Sequence, residues 1–359
     1  MMVIKVLLIF LLTSTSPIWA STLISVIQVF RHGQRTPISH YANDPYSDPS
    51  NWPVSPGQLT NIGKTQHFQL GEYTRQRYNE SLPLAYASEF FYAQTTDVDR
   101  THMSAQCNVL GLFPPTRTEL WNPDIHWSPI PIHPSPSNII NTFPQCAAYS
   151  RERSRVLENE PYYKDIDKTY AETYKYLTQY SGDNITSLSD IGDIFDTLFI
   201  ENEFEYDLPP WTEAVFPEPL TTLGGYLFQS LGYSTTLARL GAGTFLNEVI
   251  DHFEKMRENP SSGQFFRMYS AHDNNIVQIL SALGAYEPHA PYYASSIYFE
   301  LRQANFGVYH VNIYYKQKDV IQKITPRGCF QFDCNLNNLK NQLSDVLINS
   351  DTWAEECAS

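Results

Sequence analysis

The sequence predicts an α/β fold in which a central sheet is interrupted by an inserted, mostly helical segment. Three short apolar segments of strand character each run directly into a polar loop, and two of those loops are followed by helical stretches. Between the second and third strands lies a long helical stretch rich in Tyr. Because ligands bind at the carboxyl ends of the strands in α/β sheets, we expect the three polar loops to meet at one edge.

The three strands are predicted over residues 24–30, 89–93 and 265–271. The helices that follow the second and third strands are predicted over residues 98–110 and 274–283. Each strand therefore feeds a polar loop and, for the last two, a helix that returns along the sheet.

A further helix is predicted between the first two strands. Thr60 is a favourable residue for its start, because a Thr side chain can accept a hydrogen bond from the first turn. Leu59, Ile62, Leu70 and Tyr73 follow at helical spacing and are expected on one buried face.

The rest of the chain divides by composition. Residues 114–144 contain eight prolines and are expected to form an extended loop with at most one strand. Residues 149–252 are predicted as a helical cap, whereas residues 295–301 and 309–315 alternate and are typical of a hairpin. We therefore expect a core domain of residues 21–148 and 253–359 and a cap of residues 149–252.

Charge excludes two classes of partner. The 359 residues include 24 Lys and Arg against 38 Asp and Glu, which gives a formal net charge of −14. A nucleic-acid-binding protein needs a basic surface, and so does a protein that docks on an anionic membrane. An acidic chain can still bind a small anion if a few arginines are gathered at one place.

The first twenty residues are expected to be a cleaved secretory signal peptide. A single Lys precedes an apolar run, and small and polar residues lead to a cleavage position near Ala20. Later stretches are too short in apolar residues to span a membrane. Asn79 and Asn184 stand in glycosylation sequons, which fit the same route. The mature protein is therefore expected in the secretory pathway.

Five cysteines are present, so four can pair in an oxidising compartment and one remains. Cys329 and Cys334 are close enough in the chain for a local loop. Cys107 lies among apolar residues of a predicted helix and is expected to be a buried free thiol.

The loop after the first strand carries the clearest chemical pattern. Arg31 and Arg35 flank His32 in the run Arg-His-Gly-Gln-Arg, and Gly33 permits a turn that a side chain would block. A guanidinium group binds phosphate through two parallel hydrogen bonds, so this arrangement is suited to hold an oxyanion against an imidazole nitrogen. The alternative is a basic surface turn.

The other two loops supply candidate partners. His272 and Asp273 can act as ligand and proton donor, although Asp273 is also a favourable residue at a helix start. Arg100 follows Asp97 and Asp99, whose spacing would permit a metal site, but no further cluster with metal-ligand spacing accompanies them.

Four motifs together resemble the histidine acid phosphatase family, in the branch of the prostatic and lysosomal enzymes. The motifs are Arg31-His32-Gly33-Gln34-Arg35-Thr36-Pro37, residues 52–73, Thr95-Thr96-Asp97-Val98-Asp99-Arg100-Thr101 and Ser270-Ala271-His272-Asp273. The resemblance covers most of the mature chain and is weak in the cap. His102 departs from the family, which usually carries an apolar or amide residue there.

The resemblance implies roles for six residues. His32 would be the nucleophile that forms a phosphohistidine, and Asp273 would protonate the leaving oxygen and then activate water. The phosphoryl oxygens would be held by Arg31, Arg35, Arg100 and His272. No metal or cofactor would be needed, and a bound phosphate should raise the pKa of Asp273, which gives activity at acidic pH.

The resemblance also implies a phosphoglycerate mutase-like fold: a mixed, mainly parallel sheet with helices on both faces and a helical cap. It suggests the disulfides Cys146–Cys357 and Cys329–Cys334, with Cys107 free. The expected function is that of a secreted or lysosomal acid phosphatase. Its expected substrates are small phosphate monoesters and phosphotyrosine proteins, and a homodimer is expected.

Three alternatives are weighed at the level of sequence. A phytase uses the same motif, but a ligand with several phosphates needs additional cations, for which Arg151, Arg153 and Arg155 are candidates. An inactive secreted binding protein would keep the fold and lose a site residue, whereas all six are present here. A mutase would need neither signal peptide nor disulfides.

Overall fold

The computed structural model of the chain describes residues 21–117, 120–140, 145–329 and 334–359. The predicted signal peptide, residues 1–20, lies outside the described residues, so it stays a prediction. Among the described residues, no helix combines the length and the apolar character that crossing a membrane requires.

The core is one mixed sheet. Its strands, in chain order, are β1 (Thr22–Arg31), β2 (Phe91–Thr95), β3 (His133–Pro134), β4 (Phe266–Ala271), β5 (Ser296–Gln303), β6 (Tyr309–Gln317), β7 (Val320–Ile324) and β8 (Cys334–Asn335). They are ordered β3-β2-β4-β1-β5-β6-β7, and β8 pairs with β6.

The direction of the strands divides the sheet into two halves. Strands β3, β2, β4 and β1 run parallel, whereas β5, β6, β7 and β8 add antiparallel pairings beyond β1. The predicted mixed α/β class and the β5–β6 hairpin are confirmed. Parallel pairing, however, is confined to one half of the described sheet and does not predominate, because β5 pairs antiparallel with β1 and the chain then continues through the β5–β6 and β6–β7 hairpins.

Alternation along β1 explains why helices cover both faces. Val26 and Phe30 belong to one hydrophobic cluster and Ile27 and Val29 to another, as the two-residue period of a strand requires. All four side chains are fully buried. Apolar residues therefore occur at adjacent positions of the strand because both of its faces are buried, and the polar residues Ser25 and Gln28 of the same strand are buried as well.

The helices form three groups. They are α1 (Asn61–Arg77), α2 (Asp99–Leu112), α3 (Ala147–Asn159), α4 (Pro161–Thr169), α5 (Ala171–Ser181), α6 (Gly192–Glu203), α7 (Leu220–Gln229), α8 (Thr235–Glu258), α9 (Asp273–Ala282), α10 (Leu336–Gln342) and α11 (Ser350–Ala358). Helices α1 and α2 cover one face of the sheet, and α8, α9 and α10 cover the other. Helices α3 to α7, together with α11, form a separate cluster beside the carboxyl edge.

Helix α8 links the cap to the sheet. Leu237 and Leu240 near its start belong to the cap cluster, whereas Phe245, Val249 and Phe253 pack in the cluster that covers the sheet. We therefore propose that the cap ends near the start of α8 and that most of this helix belongs to the core. The division of the chain into core and cap at residues 148 and 253 stays a prediction, with its second boundary moved towards the start of α8.

The cysteines pair as the resemblance implied. Cys146 is bonded to Cys357, with the Cα atoms 4.6 Å apart, and Cys329 is bonded to Cys334. Cys107 is free, but it is half-buried on α2 and not fully buried as predicted. Its neighbours Ala105 and Val109 take the inward positions of the helix.

The start of α1 confirms the prediction at Thr60, whose side chain accepts a hydrogen bond from the Gly63 amide. The predicted buried face is only partly right. Ile62 is 55% exposed, and the helix buries the polar side chains His67 and Thr74. These two have hydrogen-bond partners inside the core, which hydrophobic spacing does not reveal.

Candidate active site

Three neighbouring parallel strands bring the predicted loops together. Arg31 at the end of β1 pairs in register with Ala271 at the end of β4, and Thr95 of β2 pairs with Ser270 of β4. The residues that follow these ends are His32, His272 and Thr96. Because β4 lies between β2 and β1, all three loops meet at one carboxyl edge, as predicted.

Gly33 is required for close approach to α1. A Cβ atom at Gly33 would lie 2.3 Å from the carbonyl oxygen of Gly63, a distance that real atoms do not reach. The prediction that Gly33 serves a turn therefore needs correction, because the constraint is contact between two backbones. His67 of α1 adds to this contact, since its Nε2 donates to the carbonyl of Arg31 at 3.1 Å.

The His32 imidazole is oriented by its own backbone. Its Nδ1 lies 2.8 Å from the carbonyl oxygen of Gly33, which can only accept, so Nδ1 carries the hydrogen and Nε2 keeps its lone pair. Burial, followed by the charges of Arg100 and Arg31, lowers the pKa of His32 well below its ordinary value. The site thus holds a neutral imidazole whose Nε2 is available as a nucleophile.

His272 lies edge-on to His32, with the ring centroids 5.5 Å apart. An amino group of Arg100 lies 3.4 Å from its Nδ1 and can only donate, so Nε2 carries the hydrogen and donates to Thr96 Oγ1 at 2.8 Å. Burial, followed by the charge of Arg100, lowers the pKa of His272 to about 3. His272 is therefore a second neutral imidazole.

Three arginines surround the two rings. Arg31 and Arg35 are buried, at 3% and 6% exposure, and Arg100 is partly buried. Their Nε groups are buried and have no acceptor in the part of the chain that the structure describes. Burial, followed by the charge of Arg35, lowers the pKa of Arg100 to about 10. Three cations with unused donors around one imidazole form a site for a phosphate-like oxyanion.

Asp273 is held by an arginine. Its carboxylate lies 2.9 Å from Arg31 and accepts a second hydrogen bond from the amide of Asn274 at 2.8 Å. Burial by itself would raise the pKa of Asp273, but the charges of Arg31 and Arg35 outweigh it and lower the pKa below the ordinary value. In the free protein Asp273 is therefore a carboxylate. The preceding residue, His272, is the N-cap of helix α9.

Two site residues escaped the sequence analysis. Asp196 of the cap helix α6 forms an ion pair with Arg35 at 3.0 Å. The guanidinium of Arg31 lies over the ring of Tyr293, 4.5 Å from the ring centroid, and donates to the carbonyl of Pro291. Neither residue stands in a motif, and each lies more than 160 positions from its arginine, so no local signal could have found them.

An apolar cavity of about 160 Å³ adjoins the arginines. It is lined by Arg31, Arg153, Gly192, Phe195, Asp196, Phe199, Leu227, Phe228, Leu231, Asn274 and Ala290. Most of these residues belong to α6 and α7, so the cap forms most of the wall of this cavity, which adjoins Arg31.

The two carboxylates of the Asp-x-Asp spacing have separate polar partners in the structure. Asp97 is exposed and lies 3.4 Å from His102 Nε2, and Asp99 accepts a hydrogen bond from Gln58 at 3.0 Å. Within the described ranges, no group of three His, Cys, Asp or Glu residues is placed to hold a metal ion. His102 therefore pairs with the exposed Asp97, and among the described residues no hydrogen bond or ion pair joins it to the three arginines.

The three arginines at the start of the cap point to different surroundings. Arg155 pairs with Glu152 and Glu160 at the surface. Arg151 donates to the carbonyl of Ser359 at the surface. Arg153 alone of the three lines the cavity.

The sequon residues Asn79 and Asn184 are both exposed in loops, after α1 and α5. A carbohydrate chain could be accommodated at either position. Glycosylation itself stays a prediction.

Fold and site together define an α/β protein with a buried, neutral histidine among three arginines at the carboxyl edge of its sheet. The chain belongs to the histidine phosphatase superfamily (branch 2), whose family model matches residues 22–316. The resemblance read from the four motifs is thereby confirmed.

Relatives of known name cover nearly the whole chain. The chain is 33% identical to prostatic acid phosphatase from Bos taurus, over 93% of this chain and 87% of that protein. It is 34% identical to lysosomal acid phosphatase from Rattus norvegicus, over 95% of this chain and 81% of that protein. These relatives are of the branch that the motifs indicated.

Solved structures of lower identity share the fold. The phytase of Klebsiella sp ASR1 matches with a TM-score of 0.69 at 18% identity, over 91% of this chain and 95% of that chain. Hafnia alvei phytase in complex with tartrate matches with a TM-score of 0.69 at 15% identity, over 91% and 98%. At these identities the likeness concerns the architecture alone.

Proposed function

We propose that the protein is an acid phosphatase that hydrolyses phosphate monoesters through a phosphohistidine formed on His32. The observation that carries the proposal is the neutral His32 imidazole, whose Nε2 lone pair lies among three arginines with unused donors. A cationic site that contains a neutral nucleophile favours an anionic phosphoryl group and attack on its phosphorus atom.

In the first step, Nε2 of His32 attacks phosphorus and a new N–P bond forms. The bond between phosphorus and the ester oxygen breaks, and that oxygen takes a proton from Asp273 as the alcohol leaves. Arg31, Arg35 and Arg100 bind the three phosphoryl oxygens and stabilise the charge that they carry in the transition state.

In the second step, Asp273 is a carboxylate and removes a proton from a water molecule. The water oxygen bonds to phosphorus, the N–P bond breaks, and inorganic phosphate leaves. The lone pair returns to Nε2, and Asp273 keeps the proton taken from water until phosphate leaves and then releases it to solvent, because its pKa falls again in the free protein. His272 is proposed to act on the same phosphoryl group by holding Arg100, whose amino group donates a hydrogen bond to its Nδ1.

The acidic pH range follows from the state of Asp273. In the free protein two arginines hold its pKa below the ordinary value, so the carboxyl is ionised at neutral pH. A bound phosphate dianion neutralises these arginines and adds a like charge, so the pKa of Asp273 rises in the complex. Substrate and proton are therefore bound together, which favours turnover at acidic pH.

The names of the relatives support the same class of reaction and the compartment. An enzyme of this class is placed in the lysosome or outside the cell, where disulfides such as Cys146–Cys357 persist. We further propose phosphotyrosine proteins among the substrates, and a homodimer, which light scattering of the purified protein tests.

Phytate is a poor fit to the cavity. Of the described residues that line it, Arg31 and Arg153 are the cations, and Arg31 is already assigned to the reacting phosphate. The remaining wall is mostly aromatic and aliphatic, which would leave several phosphate groups without partners. An inactive binding protein is also disfavoured, since all six site residues are present and assembled.

The proposal is tested with the purified mature protein and phenyl phosphate across pH 4 to 8. We expect release of phenol and phosphate at acidic pH, and release from phytate slower by at least about tenfold. Absence of phosphate release from any monoester would overturn the proposed function, and faster release from phytate would select the phytase instead.

A further inference from the structure

We propose that Arg153 binds a second anionic group, a carboxylate on the alcohol part of the substrate, and so selects phosphate monoesters with an acidic leaving group. The inference rests on the proposed function and concerns the substrate class of the same site. It depends on three observations, which are the position of Arg153, its missing counter-charge and the size of the cavity.

Arg153 lines the cavity that begins beside the proposed phosphate site. Arg31 and Asn274 contribute to the core side of the cavity, and Asn274 directly follows the proposed proton donor Asp273. Arg153 belongs to α3 of the cap and lines the same space. A leaving group that receives its proton from Asp273 therefore enters a cavity that contains a second cation.

The charge of Arg153 has no counterpart in the described part of the chain. Its Nε donates to the hydroxyl of Ser230 at 3.1 Å, and its two terminal amino groups make no hydrogen bond there. Burial lowers the pKa of Arg153, and the groups that act in the other direction are the phenols of Tyr149 and Tyr163. Asp196 also lines the cavity, but it is paired with Arg35.

The neighbouring arginines show the contrast. Arg155 has two carboxylate partners on the surface, and Arg151 is an exposed residue bonded to a backbone carbonyl. A cation held near an apolar wall without an anion is costly, and an anionic ligand would remove that cost. The planar guanidinium can bind a carboxylate through two parallel hydrogen bonds.

The apolar wall defines what joins the two anionic groups. Phe195, Phe199, Leu227, Phe228 and Leu231 provide aromatic and aliphatic surface without a neutralising charge. A cavity of about 150 Å³ lined by such residues holds a benzene ring, and this one measures about 160 Å³. The inferred substrate is an aryl or short alkyl phosphate with a carboxylate at the far end of the leaving group.

The test uses two probes that differ in one charge. One is 4-(carboxymethyl)phenyl phosphate, and the other is its carboxamide, whose phenol leaving group has closely similar basicity. We expect kcat/KM to be roughly tenfold higher for the acid than for the amide in the wild type, as for one charge-assisted contact. In Arg153→Gln this ratio should fall to about one, and Arg153→Lys should retain part of it.

Arg151→Gln is the matched control on the same helix, and it should keep the wild-type ratio. The ratio is insensitive to a general loss of folded enzyme, because both probes are measured on one preparation. A wild-type ratio near one, or a ratio that Arg153→Gln leaves unchanged, would overturn the inference.

A binding measurement separates this inference from the proposed function. Calorimetry with the corresponding benzylphosphonates, acid and amide, measures affinity without turnover. Tighter binding of the acid that is lost in Arg153→Gln supports the second anion site, even if phenyl phosphate is not hydrolysed and the proposed function fails. Equal affinity of acid and amide would overturn the inference, while turnover of phenyl phosphate would leave the proposed function intact.

Discussion

A guanidinium nitrogen of Arg31 lies 2.9 Å from a carboxylate oxygen of Asp273, so a proposed phosphate ligand and the proposed proton donor are paired in the free protein. A bound phosphate competes with Asp273 for the same guanidinium. Substrate binding therefore loosens the contact that keeps Asp273 ionised, which couples binding of the anion to uptake of the proton.

Asp273→Asn separates acid catalysis from binding. Asn keeps the shape of the side chain and cannot donate a carboxylic proton, so the leaving alcohol must depart as an anion. We expect phosphoenzyme formation from an alkyl phosphate to fall by on the order of 100- to 10,000-fold. With nitrophenyl phosphate, whose leaving group needs no proton, the fall should be much smaller.

Pre-steady-state release of alcohol and nitrophenol measures the two rates. Hydrolysis of the phosphohistidine should also slow in this variant, because Asp273 activates water, so an early burst of nitrophenol is expected. Equal losses on both substrates would mean that Asp273 serves binding or structure and that the proton comes from elsewhere.

Chelation tests whether the arginines supply the positive charge. Because Arg31, Arg35 and Arg100 can bind the phosphoryl oxygens, turnover should be unchanged within about twofold in excess EDTA. Vanadate and tartrate should compete with substrate for these cations. If activity disappears on chelation and returns with magnesium or zinc, a metal ion takes part in the reaction.

Glu201 in the cap predicts a pH-dependent stability. Its carboxyl is fully buried, and burial together with the neighbouring Asp44 raises the pKa of Glu201 to about 9. A carboxyl whose pKa is raised on folding stabilises the fold at low pH, and this stability is lost as pH rises from about 4.5 to about 9. The free energy of unfolding of the cap should therefore be higher under acidic conditions than at neutral or alkaline pH.

Urea unfolding at pH 5 and pH 8 measures this effect. Glu201→Gln mimics the protonated carboxyl, so its stability should match the wild type at pH 5 and exceed it at pH 8. The control is Glu213→Gln, an exposed position in the cap. A difference between wild type and Glu201→Gln that is the same at both pH values would rule out titration of Glu201 in this range.

The sequence was sufficient to predict the core of the site. His32, His272 and Arg100 each follow a strand within a few residues, and the parallel pairing of β1, β4 and β2 then brings them together. Such residues are found because strand periodicity and polar loop positions are local signals. The register of the parallel strands then determines how the three loops lie relative to one another.

The cap contributions could not be predicted in the same way. Asp196 meets Arg35 across 161 positions of sequence, and Arg153 shares a cavity with Arg31 only because α3, α6 and α7 pack beside the sheet edge. Cys107 and Ile62 show a related limit, since apolar spacing alone placed them inward while neighbouring residues occupy the core. Contacts of long sequence separation depend on tertiary packing.

The central claim is that His32 becomes phosphorylated, and rapid quench with phosphorus-labelled phenyl phosphate at pH 5 tests it most directly. The wild type should yield an acid-labile, alkali-stable phosphoenzyme, and a matched control, His102→Ala, should yield it too. His32→Ala should yield none and lose at least about a thousandfold in turnover. Turnover by His32→Ala at the wild-type rate, or label recovered on another residue, would contradict the account.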